Sequence, residues 1–77
     1  MVLVNTDFIS GKTIETISLV SGARRLDFTG VNDGGVYHAV ADMVERAKSF
    51  NADGIINIKY SLSEHYAFVA GTAVRFI

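Results

Sequence analysis

The sequence predicts an α+β domain in which one amphipathic helix covers one face of a small antiparallel sheet. Three observations carry this. Residues 36–50 place Val36, Val40, Met43, Val44 and Ala47 at helical spacing on one stripe. Residues 13–21, 54–62 and 66–77 are β-branched or alternating runs with the character of strands. The chain has 77 residues and no linker or repeat, so 1–77 reads as a single domain.

Residues 2–5 form a short apolar start, read as a strand, and 7–12 with Ser10 and Gly11 read as a turn. In 13–21, Thr13, Ile14, Thr16, Ile17 and Val20 favour a strand, which Gly22 ends or kinks. Residues 23–29 either extend that strand or form an irregular crossover. Residues 30–35 hold three glycines with Asn32 and Asp33, a loop signal. Asn32 or Asp33 can then cap the helix by accepting a hydrogen bond from its free N–H groups. His38, Asp42, Glu45, Arg46 and Ser49 fall on the side away from the stripe, with Asp42 and Arg46 four apart, as on a solvated surface. Asn51 suits the left-handed position that closes a helix.

The last two strands are expected to form a hairpin. A three-residue loop, 63–65, sets Leu62 opposite Tyr66, Tyr60 opposite Phe68 and Ile58 opposite Ala70. This gathers the bulky side chains on one face for the helix to cover. The other face would then carry Ile55, Ala67, Val69, Gly71, Ala73 and Ile77. One helix covers about one face of a four-stranded sheet, so that second face is expected to be hidden by other copies of the chain. The supply of apolar residues, 49% in so short a chain, fits this, and association would also cover exposed edges.

Composition narrows the function classes. There are no cysteines, which removes disulfides, thiolate metal sites and thiol catalysis. The net charge is −1 and the one basic cluster is Arg24–Arg25, so nucleic-acid binding is not expected. No apolar run approaches a membrane span, and no basic segment leads into an apolar one at the start, so a cytoplasmic protein is expected.

Few residues suggest chemistry. His38 and Asp42 share a helix face and can supply two ligands to a divalent metal, with symmetry-related copies supplying more. The plain alternative is a solvated helix surface. Glu64 and His65, in the hairpin loop, could bind metal or move protons at an oligomer rim, or be ordinary turn polarity. The run 32–35 could hold an anion at a helix N-terminus, but it lacks the lysine of a phosphate loop and Asp33 would repel phosphate, so capping is preferred. Asp53 is explained by turn chemistry. No serine is paired with a base, and Tyr37, Tyr60 and Tyr66 lack the basic partners of a nucleic-acid platform.

Three blocks of residues, in order, resemble the YbjQ-like family, whose description is "putative heavy-metal-binding". They are Asn5-Thr6-Asp7 with Gly11, Ile14 and Leu19-Val20-Ser21-Gly22; Ala47 with Asn51-Ala52-Asp53-Gly54-Ile55-Ile56-Asn57-Ile58; and Ala70-Gly71-Thr72-Ala73-Val74. The resemblance implies a β-α-β-β subunit, its helix packed on a curled antiparallel sheet, assembling through added strand contacts into a ring, a pentamer. It implies no ligand motif that maps onto numbered residues. The sequence departs from the family between residues 22 and 36, where relatives carry a longer segment and a longer helix. The reading is therefore of a non-enzymatic homo-oligomer that binds a divalent metal or small ligand at subunit interfaces. The alternatives are an enzyme with a boundary site using His38 or His65 with a carboxylate, and a shell storing a cofactor such as flavin.

Overall fold

A computed structural model describes residues 1–25 and 35–77. The elements are β1 (Val2–Leu3), β2 (Ile14–Arg25), α1 (Gly35–Ser49), β3 (Gly54–Leu62) and β4 (Tyr66–Phe76). They build one four-stranded sheet in the order β1-β3-β4-β2 with the helix on one side. The loop and cap expected at 30–34 lie outside the described residues.

The sheet is mixed rather than antiparallel, and the order is β-β-α-β-β rather than β-α-β-β. The difference is β1, which runs parallel to β3 with Val2 opposite Gly54 and Leu3 opposite Ile55. Val4 extends the contact, donating to the Ile55 carbonyl at 3.0 Å and accepting from the Ile58 N–H at 3.2 Å. Strand β2 does not stop at Gly22 but continues to Arg25, which settles the first part of the open 23–29 segment.

The helix follows the expected stripe, one residue earlier at each end. Ala39, Met43 and Ala47 are fully buried, with Val36, Val40 and Val44 packed alongside. Burying a side chain the size of Met43 contributes roughly 1.5–3 kcal/mol. Asn51 adopts the left-handed conformation, φ 57°. The Ala52 N–H then reaches the Ala47 carbonyl at 3.2 Å and the Asn51 N–H the Lys48 carbonyl at 3.0 Å. This pair of bonds satisfies carbonyls that the helix end would leave orphaned.

The face assignment from sequence is inverted. Ile55, Ala67, Val69 and Ala73 lie under α1 in the same chain, together with Val20; they are not a face left for other copies. Ile77 alone of that expected set is well exposed. Strand β4 alternates without a slip and turns its small residues, Ala67, Val69 and Ala73, to the helix, while two β-bulges change the faces of β2 and β3 against it. In β3 the register slips between Ile56 and Lys59, at Asn57, which has φ 53°. Beyond the bulge the alternation changes sense, so Ile55 and Ile58 both face the helix while Ile56 faces away. Gly71 makes this possible: a Cβ there would stand 2.6 Å from Ile55 Cγ2 and 3.2 Å from Ile58 Cγ1. In β2 a second slip falls between Thr16 and Ser18.

The hairpin register is consequently Tyr60–Val69, Ser61–Phe68 and Leu62–Ala67, in place of Tyr60–Phe68 and Leu62–Tyr66. Its connection is the two residues Glu64–His65, since the Ser63 N–H donates to the Tyr66 carbonyl at 2.8 Å. Such a loop ordinarily wants glycine or asparagine. Here the Ser63 hydroxyl oxygen accepts from the Tyr66 N–H at 3.0 Å and the His65 N–H at 3.4 Å, holding the turn without a left-handed residue.

The second face of the sheet is half covered. At one end Ile9 and Val4 pack on Ile56, Val74, Ile14 and Phe76. Lys12 Nζ lies 5.2 Å from the centre of the Phe76 ring, closing that end. The remainder is open among the described residues.

Candidate functional site: the open face and edges of the sheet

The bulges decide which side chains the open face displays. Strand β2 contributes Leu19, Ser21, Ala23 and Arg25; β4 contributes Thr72, Ala70, Phe68 and Tyr66; β3 contributes Lys59 and Ser61. Leu19 is 82% exposed and Phe68 47%. The Tyr66 and Phe68 rings stack at 5.6 Å. Large exposed apolar side chains on one face are unusual for a monomer.

This face is concave. A groove of about 490 Å³ is lined by residues 21–23 of β2, 59–61 of β3 and 68–70 of β4 together with Arg46 of α1, so its lining draws on both faces of the sheet. It adjoins a second hollow of about 720 Å³ that shares Ser21, Lys59 and Ala70 and extends to Leu19 and Asn57.

Both sides of the sheet end in unpaired backbone. Strand β2 pairs with β4 alone, so its 12 residues present a free edge among the described residues. On the opposite side β1 and the segment after it cover β3 only as far as Ile58, leaving Lys59–Leu62 without an outer neighbour among the described residues. A further hollow of about 260 Å³ runs between this β2 edge and Arg46, Ser49 and Phe50 of the helix end.

The residues singled out for metal binding lie elsewhere. His38 and Asp42 are exposed on the outer side of α1, with the His38 ring edge-on to Tyr37 at 6.4 Å. Glu64 and His65 form the hairpin tip. Among the described residues no group of three or more His, Asp or Glu side chains could hold a metal ion, so the candidates are not brought together within one chain. With no cysteine in the chain, the described residues of a single copy bring no thiolate and no three-ligand cluster together. Asp53 is structural: its Oδ2 accepts from the Phe76 N–H at 2.8 Å, tying the β3 start to the β4 end.

The open face itself was missed in the sequence because the helix was expected over the bulkier β4 side chains, Tyr66 and Phe68, whereas it packs on Ala67, Val69 and Ala73. One signal was present: Asn57, Lys59 and Ser61 alternate as a polar set beside an apolar one, and no acidic residue is among them. Among the described residues no helix is long and apolar enough to cross a membrane.

Comparison with known proteins agrees with the resemblance. A family model described as "Putative heavy-metal-binding" matches residues 4–77. A UPF0145 protein of Clostridium novyi (strain NT) is 42% identical over 103 positions, covering the whole of both chains. A UPF0145 protein of Alkaliphilus metalliredigens is 34% identical over the whole of both chains. One from Clostridium tetani is 31% identical over 97% of this chain and 96% of its own. The first two alignments run over 103 positions against 77 residues here, so those relatives carry residues that this chain lacks. With almost its full length matched by the model and by relatives of this similarity, the chain belongs to the YbjQ-like family, the UPF0145 proteins.

Proposed function

We propose that this chain is a non-catalytic, ring-forming homo-oligomeric module of five copies. The observation that carries the proposal is the pair of free edges on one sheet: all of β2 on one side and Lys59–Leu62 of β3 on the other. Long free edges invite strand pairing and are seldom left bare. Two different edges of the same chain make a head-to-tail contact, which closes into a ring if the rotation allows. Strand twist supplies a rotation at each step. Face-to-face stacking is the less favourable alternative, because it would bring Lys59 and Arg25 of two copies together. Joining by edges pairs the β2 backbone with the neighbouring strand, sets Leu19 beside that strand's side chains on the same face, and leaves the concave face open to the interior of the ring.

Metal enters this reading only between copies. His38 and Asp42 of one copy, with Glu64 and His65 of the next, would supply donors that the described residues of one chain do not bring together. The two parts are tested separately. Light scattering should give a fivefold multiple of 8.3 kDa; a monomer at micromolar concentration overturns the assembly. Calorimetry with zinc, copper and nickel should show saturable heat that is lost in His38→Ala. No heat with any of the three overturns the metal.

A further inference from the structure

We infer that Tyr60 and Leu62, on the helix side of β3, are the receiving half of a subunit contact that the next copy closes with the Arg46 flank of its α1. The inference rests on the edge-to-edge assembly proposed above and names the side chains that complete its joint. The first observation is that the helix leaves part of its own face bare. Tyr60 pairs with Val69 and Leu62 with Ala67, and both partners are buried under α1, so Tyr60 and Leu62 stand on the helix side. They are nonetheless 67% and 55% exposed. The cause is the position of α1, which packs over β2 and β4 and barely reaches β3. A tyrosine ring and a leucine beside a free strand edge form an apolar strip of the kind that marks a contact.

The second observation is that the other free edge carries what this strip lacks. Gly22 has no side chain, so α1 sits low on β2, with the Ala39 carbonyl where a Cβ would stand. Farther along the helix, Arg46 borders β2 and lines a hollow with Leu19 and Ser21. Its side chain has no hydrogen bond or ion pair among the described residues. A bare strand would satisfy the backbone groups of Lys59–Leu62 and leave the strip wet. Strand β2 brings a helix flank with it.

The third observation is level. Val69 pairs with Tyr60 on one side and Gly22 on the other; Ala67 pairs with Leu62 and with Arg24. The two free edges therefore stand at matching heights on the sheet. A copy joined at that height sets its Gly22 beside Tyr60 and its Arg24 beside Leu62. The Tyr60 ring then lies against the lower flank of the incoming α1, within reach of the Arg46 guanidinium, which is attracted to an aromatic face. The aliphatic stem of Arg24 covers Leu62. Each half of the contact comes from a different copy.

Cross-linking reads this contact directly, because the chain has no cysteine of its own. Tyr60→Cys and Arg46→Cys chains are unfolded together, refolded and treated with a short bismaleimide. A covalent dimer should form in the mixture and not in either variant alone. Phe68→Cys, on the open face, should give none when mixed with Arg46→Cys. Tyr60→Ala should raise the concentration at which the assembly half-dissociates at least about tenfold, and Tyr60→Phe, which keeps the ring, less than about threefold. Light scattering on the same samples separates the two possible failures. Assembled chains without the link, an equal link from Phe68→Cys, or an unaffected Tyr60→Ala overturn this contact and leave the ring standing. A monomeric parent chain overturns the ring and this contact with it.

Discussion

Strand β2 passes so close beneath α1 at Gly22 that a Cβ on this residue would overlap the Ala39 carbonyl oxygen and lie 2.8 Å from the Met43 amide nitrogen. The contact is backbone against backbone, so no side-chain movement can relieve it. Gly22 does not have a positive φ. On conformational entropy alone, Gly22→Ala would therefore stabilise the fold slightly. The clash reverses the sign. We expect a loss of about 2–3 kcal/mol by urea denaturation, the cost of overpacking a tight core. A neutral or stabilising result would show that the helix sits farther from the sheet.

Asn57 is expected to respond in the opposite sense to different substitutions. Its φ of 53° is natural for glycine, tolerable for asparagine and strained for a β-branched residue. Asn57→Gly should change stability by less than about 0.5 kcal/mol, whereas Asn57→Val should cost about 1–3 kcal/mol. The Asn57 N–H donates to the Thr6 carbonyl at 2.8 Å, so the valine variant should also loosen the N-terminal segment. Hydrogen exchange at that amide, compared with thermal melting, would read both effects. Equal stability of the two variants would exclude a bulge at this position.

Much of the fold was legible in the sequence, and the point of failure is local. The stripe Val36, Val40, Met43, Val44 and Ala47 survives because helical periodicity tolerates no insertion within 15 residues. Asn51 was legible because few residue types take its backbone conformation. Strand faces were not, because a period of two is reversed by a single extra residue. Asn57 marked the bulge, but an asparagine between Ile56 and Ile58 reads equally well as an outward polar position. The inverted faces then carried the expected interface to the wrong side and hid the open face that displays Leu19, Lys59 and Phe68. His38, Asp42, Glu64 and His65 were chosen by residue type; sequence spacing could not say whether a helix surface and a hairpin tip converge.

Asp53 offers a test of a single charged hydrogen bond. Its carboxylate accepts from the Phe76 N–H, and its own N–H donates to the Val74 carbonyl at 2.8 Å. Asp53→Ala removes the first bond and leaves the Phe76 amide to solvent, at an expected cost of about 1–2 kcal/mol. Asp53→Asn keeps an acceptor oxygen and should recover at least half of that loss. Chemical denaturation of the two variants decides it; identical losses would mean that the charge or the side-chain geometry, rather than the acceptor, is what matters.

Edge-to-edge assembly predicts a difference between two equally exposed positions. Leu19 is 82% exposed and lies on the free β2 edge strand; Tyr37 is 77% exposed and lies on the helix, away from both edges. Lysine at either site is solvated in an isolated chain, so neither change should unfold it. In the ring, Leu19→Lys replaces an apolar cross-strand contact at the seam with lysine, the residue type that guards free edges against strand pairing. Tyr37→Lys remains outside the contact. Light scattering should therefore find Leu19→Lys monomeric with a native far-UV spectrum and Tyr37→Lys still assembled. If Tyr37→Lys dissociates and Leu19→Lys does not, copies meet through their helices, and the free edges of β2 and β3 are not where the ring closes.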